Sequence, residues 1–168
     1  MQSYSQYIEK ARAEQNLVLA VLGGSIGAVV GAVAWAVVTV VTKYQIGLMA
    51  LAIGFLVGYL ARKLGKGVDT IFGVTGAVLS LAGCLLGNLL AACGILSHET
   101  GKQIPEILSQ LTPLSSIMIL TATFQPMDLL FYGFAVYEGY KFSFRRLTQQ
   151  ELADLQLATA PVANQDGQ

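Results

Sequence analysis

The sequence predicts an all-α protein, a polytopic bundle of four transmembrane helices packed closely through glycine, with both termini cytoplasmic. Three observations predict it. The chain is 54% hydrophobic and only 12% charged, with a mean hydropathy of +0.60. A soluble domain carries about 25% charged residues, so much of this exterior must face lipid. Long runs contain no charge at all, and the 18 glycines among 168 residues fall at helical spacing within them. A formal net charge of zero argues against nucleic acid as a partner and leaves the lipid bilayer as the expected one.

Residues 1–16 form a polar head. Ser3 and Gln6 have capping-box spacing, and Tyr4, Tyr7, Ile8 and Ala11 share one helical face, which predicts a cytoplasmic amphipathic helix lying on the membrane surface. The transmembrane domain follows over residues 17–144. Leu17–Thr42 is a run of 26 residues without charge, and Tyr44–Ala61 and Thr70–Ser97 are two more. A helix needs about 20 apolar residues to cross the hydrocarbon core, with about 17 as the short limit. The first run is longer than the apolar core of a signal peptide and leads directly into a second span, so it is expected to remain as an anchor.

The fourth segment, from Leu114 to Phe144, is interrupted by Gln125-Pro126-Met127-Asp128. Proline in the first helical turn, with an acid beside the positive end of the dipole, is a helix-start signature. It predicts a short last span from about Pro126 to Lys141, with Leu114–Phe124 interfacial or re-entrant. The rival reading is one kinked helix from Ser116, which would carry Asp128 near mid-membrane.

The basic residues orient the bundle. Lys10, Arg12, Arg62, Lys63, Lys66, Lys141, Arg145 and Arg146 fall on one side of a four-span chain, and Lys43 and Lys102 on the other. Basic loops are retained in the cytoplasm, so the richer side is inside. Tyr44, Tyr59 and Tyr140 lie near the expected boundaries. In the cytoplasmic tail, residues 145–168, Thr148 and Glu151 repeat the capping-box spacing, whereas Ala158 onward has no apolar periodicity and is expected to be disordered.

Small residues form three stripes: Ala20, Gly24, Gly27, Gly31 and Ala34; Gly47, Ala50, Gly54, Gly58 and Ala61; and Gly73, Gly76, Ser80, Gly83, Gly87, Ala91 and Gly94. Lipid is as apolar as leucine, so helices associate where small residues let backbones approach. Gly24, Gly27, Gly31, Gly54, Gly58, Gly76, Gly83 and Gly87 are therefore the expected helix-packing positions. A faint echo relates Gly24–Val29 to Gly73–Val78, in parallel orientation, but the second and fourth spans do not share it.

Three polar residues within apolar segments are the candidate functional groups. Asp128 either starts a helix at the interface or marks a site; Glu138 has Lys141 within helical reach; Asn88 lies beside Gly87 and suits an interhelical hydrogen bond. His98, Glu99 and Glu106 match no metal-site spacing, and Cys84 and Cys93 no redox or metal motif, so both cysteines read as small apolar packing residues. No nucleophile–base pair or phosphate-cradling loop appears, and Gly65-Lys66-Gly67 reads as a turn. Neither catalytic residues, metal nor cofactor is expected.

Tyr44–Gly58, the Gly65-Lys66-Gly67 turn and Asp128–Tyr140 resemble small multi-span proteins of the bacterial inner membrane, a group of unassigned function. The resemblance implies that compartment and carries no functional residue with it. The expectation is a non-enzymatic structural or accessory subunit, forming a homo-oligomer or joining a larger membrane complex. The alternative is a small channel or transporter with Asp128, Glu138 and Asn88 on a polar path.

Overall fold

The computed structural model describes residues 4–44 and 47–145, and among these every regular element is a helix: α1 (Tyr4–Glu14), α2 (Leu17–Thr42), α3 (Leu48–Gly65), α4 (Thr70–Thr100), α5 (Ile104–Ser109), α6 (Pro113–Thr123) and α7 (Pro126–Phe142). Ser3 and the tail signals at Thr148, Glu151 and beyond Ala158 lie outside the described residues, and the side chains of Tyr4, Gln6 and Tyr7 are not described.

The three uncharged runs become α2, α3 and α4, each long and apolar enough to cross a membrane. Their ends follow local chemistry. Asn16 caps α2 by accepting the Leu19 N–H at 3.1 Å. Lys43 closes it in the left-handed region at φ 60°, its N–H bonded to the Thr39 carbonyl, which delays α3 to Leu48 rather than Tyr44. α3 continues through Arg62 and Lys63 to Gly65 because cations favour the negative end of the helix dipole. Gly101, at φ 70°, ends α4, as glycine commonly does where a helix closes in the left-handed conformation.

α3 and α4 form the middle of the bundle, with α2 packed on one side of the pair and α7 on the other. α2 and α4 run away from the α1 end, called proximal here; α3 and α7 return to it. The return of α7 is fixed by Tyr132 meeting Asn88 in the distal half and by Tyr140 and Phe144 covering Gly73 in the proximal half. At 17 residues, α7 is about 25 Å long. It reaches the length and apolarity of a span only together with α6, from which it is bent by 108°. Phe124 and Gln125 are both extended at that corner, so the unbroken helix from Ser116 does not form. No residue of α6 is buried, and its neighbour is α4.

The interhelical contacts rest on small residues. A Cβ added at Gly27 would lie 3.0 Å from Val57 Cα, and one at Gly31 2.7 Å from Ile53 Cγ1. At Gly24 it would meet Leu79 at 2.6 Å, at Gly83 the Ala28 Cβ at 3.1 Å, and at Gly87 the Trp35 Cβ at 3.3 Å. Gly54 faces the Ala135 carbonyl, 2.5 Å from such a Cβ, and Gly58 faces Phe142 at 2.7 Å. Gly76 and Gly139 face each other's carbonyls across the α4–α7 contact. Beside them, Ser80 and Ser143 turn their hydroxyls back onto the Gly76 and Gly139 carbonyls at 2.7 and 2.6 Å. One stripe departs from its sequence pattern. Beyond Gly31 the buried face of α2 continues through Trp35 and Thr39, while Ala34 is exposed, because a four-residue step keeps that face turned towards α4.

A polar clasp closes the proximal end. Arg12 Nε bonds Asp69 Oδ1 at 3.0 Å, and Gln15 donates to Asp69 Oδ2 at 2.5 Å while accepting the Val68 N–H at 3.2 Å. The Asn16 N–H donates to the Gly65 carbonyl and the Arg145 N–H to the Gly67 carbonyl, both at 2.8 Å. Arg145 also pairs with Glu14 at 3.0 Å. The Gly65-Lys66-Gly67 turn is thus the anchor for both ends of the described chain. Lys66 sits in the left-handed region at φ 49°, and a side chain at Gly67 would collide with the Phe72 ring.

Candidate functional site: a buried polar junction of α2, α4 and α7

In the distal half of the bundle, polar side chains from three helices converge within an apolar core. Asn88 comes from the small face of α4, where Gly87 lets α2 approach. Tyr132 and Asp128 stand one turn apart on α7, and Trp35 and Thr39 one turn apart on α2; all five are buried. Asn88 Nδ2 donates to Tyr132 Oη at 3.2 Å. The Tyr132 ring takes the Trp35 ring edge-on at 6.3 Å between centroids and the Phe124 ring at 6.2 Å. Such edge-to-face pairs contribute about 0.5–1.5 kcal/mol beyond their burial.

Asp128 occupies the third position of α7, and its Oδ2 accepts the Gln125 N–H at 2.9 Å. It thereby satisfies a backbone donor at the corner with α6, where the helix dipole favours a carboxylate. Asp128 is only 5% exposed, although Pro126, Met127 and Leu129 of the same turn face outward.

Of the three polar residues marked in the sequence, the fold brings Asn88 and Asp128 into one neighbourhood through Tyr132. Glu138 is elsewhere, ten residues along α7 and hence about 15 Å away. It lies next to α3, its carbonyl 3.2 Å from where a Gly58 Cβ would stand, and its Oε2 is buried without a hydrogen-bond partner among the described residues. The expected Glu138–Lys141 pair does not form; Lys141 Nζ lies 5.4 Å above the Tyr137 ring instead, a cation–π contact that an ammonium favours over an aromatic face. A single polar path through Asp128, Asn88 and Glu138 is therefore not continuous in this arrangement.

Trp35, Thr39 and Tyr132 are members that the sequence reading missed. Their signal was present: the only tryptophan of the chain lies four residues from a threonine inside an uncharged run, and Tyr132 lies four residues from Asp128. Four-residue spacing places each pair on one helical face.

Elsewhere, Lys102 pairs with Glu106 at 3.6 Å. No group of three or more His, Cys, Asp or Glu suited to a metal occurs among the described residues. Cys84 and Cys93 are buried free thiols. An apolar groove of about 330 Å³ runs between α2, α4 and α5, lined by Val33, Val37, Val40, Leu90, Gly94 and Ile104. No protein-family model, curated protein or solved structure matches this chain.

Proposed function

We propose that this chain is a non-enzymatic integral protein of the bacterial inner membrane, a structural or accessory subunit that assembles with copies of itself or within a larger membrane complex. The observation that carries the reading is the use of the interior. Its glycines and the Asn88–Tyr132 bond join helix to helix, while bulky apolar side chains such as Val18, Val41, Leu114 and Leu129 stand outward. Such an exterior suits lipid or another apolar helix.

In this reading α7 is the fourth span. Measured along α4 from Thr70, Asn88 lies about 27 Å on, and Asp128 about one turn further, close to the limit of a hydrocarbon core about 30 Å thick. The proximal end carries most of the basic residues, so it faces the cytoplasm with both termini. The eight marked glycines are occupied within the molecule, which leaves α6 and the outward side of α7, around Leu130, Phe134 and Tyr137, for a partner.

Native mass measurement after extraction into lipid nanodiscs tests the role. More than one copy, or a defined second protein at fixed stoichiometry, is the expected result. A lone monomer at native expression would remove the accessory reading. Substrate-specific flux in proteoliposomes, abolished by Asp128→Asn, would replace it with the channel or transporter.

A further inference from the structure

Two polar atoms of the distal junction are buried without a hydrogen-bond partner among the described residues: Trp35 Nε1 and Thr39 Oγ1. Thr39 departs from the habit of this chain. Thr42, Thr75, Ser80, Thr100, Thr121 and Thr123 each turn the hydroxyl back onto the carbonyl four residues earlier, a common local solution for a helical hydroxyl. The Thr39 hydroxyl is instead held off its own backbone, on the buried face of α2. Trp35 Nε1 can only donate. An unpaired buried donor bears its full desolvation penalty, so two of them one turn apart call for a guest.

The surrounding chemistry selects that guest. A cation would suit the oxygens of Thr39, Tyr132 and Asp128 but would meet the Trp35 N–H head-on. An anion would suit the N–H but would sit near the Asp128 carboxylate. A neutral molecule that both donates and accepts suits every group, and the smallest is water. We infer that this junction is an internal water site, in which water accepts from Trp35 Nε1, bonds Thr39 Oγ1 and reaches the Tyr132 hydroxyl. A buried water needs two to four polar partners and about 10–15 Å³.

The route is set by the packing. α2 and α7 flank the α3–α4 pair and meet each other through the Trp35–Tyr132 ring contact. Because they run antiparallel, Thr39 and Asp128 both lie one turn distal of the Trp35–Tyr132 contact. In the proposed site water enters from the distal end, past these two residues. This goes beyond the accessory role and does not depend on it.

The full chain in lipid nanodiscs provides the test, because its only tryptophan gives a single indole signal. The Trp35 indole N–H is expected to exchange with deuterated water well before the backbone amides of Ile53 and Val57. Thr39→Val should lose that fast exchange and melt at a lower temperature than the wild type, whereas Thr39→Ser should keep both. The opposite sign overturns the inference: with a dry junction, Thr39→Val removes an unsatisfied hydroxyl and melts higher, and the indole N–H is as protected as the core amides.

Discussion

Gly27 and Gly133 show how one residue type takes opposite roles within one bundle. At Gly27 an added Cβ would press on the Val57 backbone at 3.0 Å, whereas at Gly133 nothing lies within 4 Å. Gly27→Leu and Gly83→Leu are therefore expected to lower stability by about 1–3 kcal/mol, the usual cost of overpacking. Gly133→Ala should be neutral or stabilising by up to about 1 kcal/mol, since alanine is the better helix former. Thermal unfolding in detergent reads both, and equal effects at the two sites would contradict the packing described. Asp128 gives a second contrast. Asp128→Ala leaves the Gln125 N–H without its acceptor and should cost about 1–3 kcal/mol, while Asp128→Asn keeps an acceptor and should change the melting temperature little. The spacing of the small residues was legible because it is a property of sequence. The partnership of Asn88 with Tyr132 was not, because it depends on how two helices 44 residues apart are aligned.

The corner between α6 and α7 was legible as an element boundary, since proline and an acid in a first turn make a helix start wherever they fall. Its 108° angle was not, because it comes from two extended residues and from the contact of α6 with α4. α1 differs in another way. Apolar periodicity suggested a helix resting on a membrane surface; the structure also ties its end to the α3–α4 turn through Asp69, whose carboxyl is held below the ordinary carboxylate range. The Gln15 hydrogen bond is the main cause, aided by the charge and hydrogen bond of Arg12 and opposed by some desolvation. A carboxyl whose pKa is lower when docked stabilises docking fully above its free pKa, and that contribution is lost as pH falls through the docked one. α1 is therefore expected to stay docked at neutral pH and to loosen on acidification below the ordinary aspartate range, about pH 4. Amide exchange of residues 8–14 across that range measures it. Asp69→Asn should loosen α1 already at neutral pH, and an unchanged profile in that variant would show that the clasp does not hold the helix.

For the molecule as a whole, three apolar runs of 18 residues or more were sufficient to show helices able to cross a membrane, because lipid allows few alternatives to a helix that satisfies its own backbone. The arrangement of α2 and α7 about the central α3–α4 pair was not legible: glycine stripes on several helices permit more than one pairing, and only the complementary shapes of facing side chains choose among them. The proposed four-span orientation leads to a direct expectation. Reporters fused after Lys66 and after Arg146 should be cytoplasmic, and one near Gly101 should lie outside. A cytoplasmic reporter at Gly101 would dismantle the topology.

The clasp also has a place in time. Arg12 waits for a residue 57 positions later, but Glu14 waits for one 131 positions later. During synthesis, α1 can meet the α3–α4 turn as soon as that hairpin is in place, whereas the Arg145 contacts with Glu14 and Gly67 must wait for α7 to return. A chain stopped after α6 would keep the first fastening and lack the second, leaving Glu14 with only the longer 4.0 Å approach of Lys66. The last-made contact between the two ends thus distinguishes a finished bundle from an unfinished one.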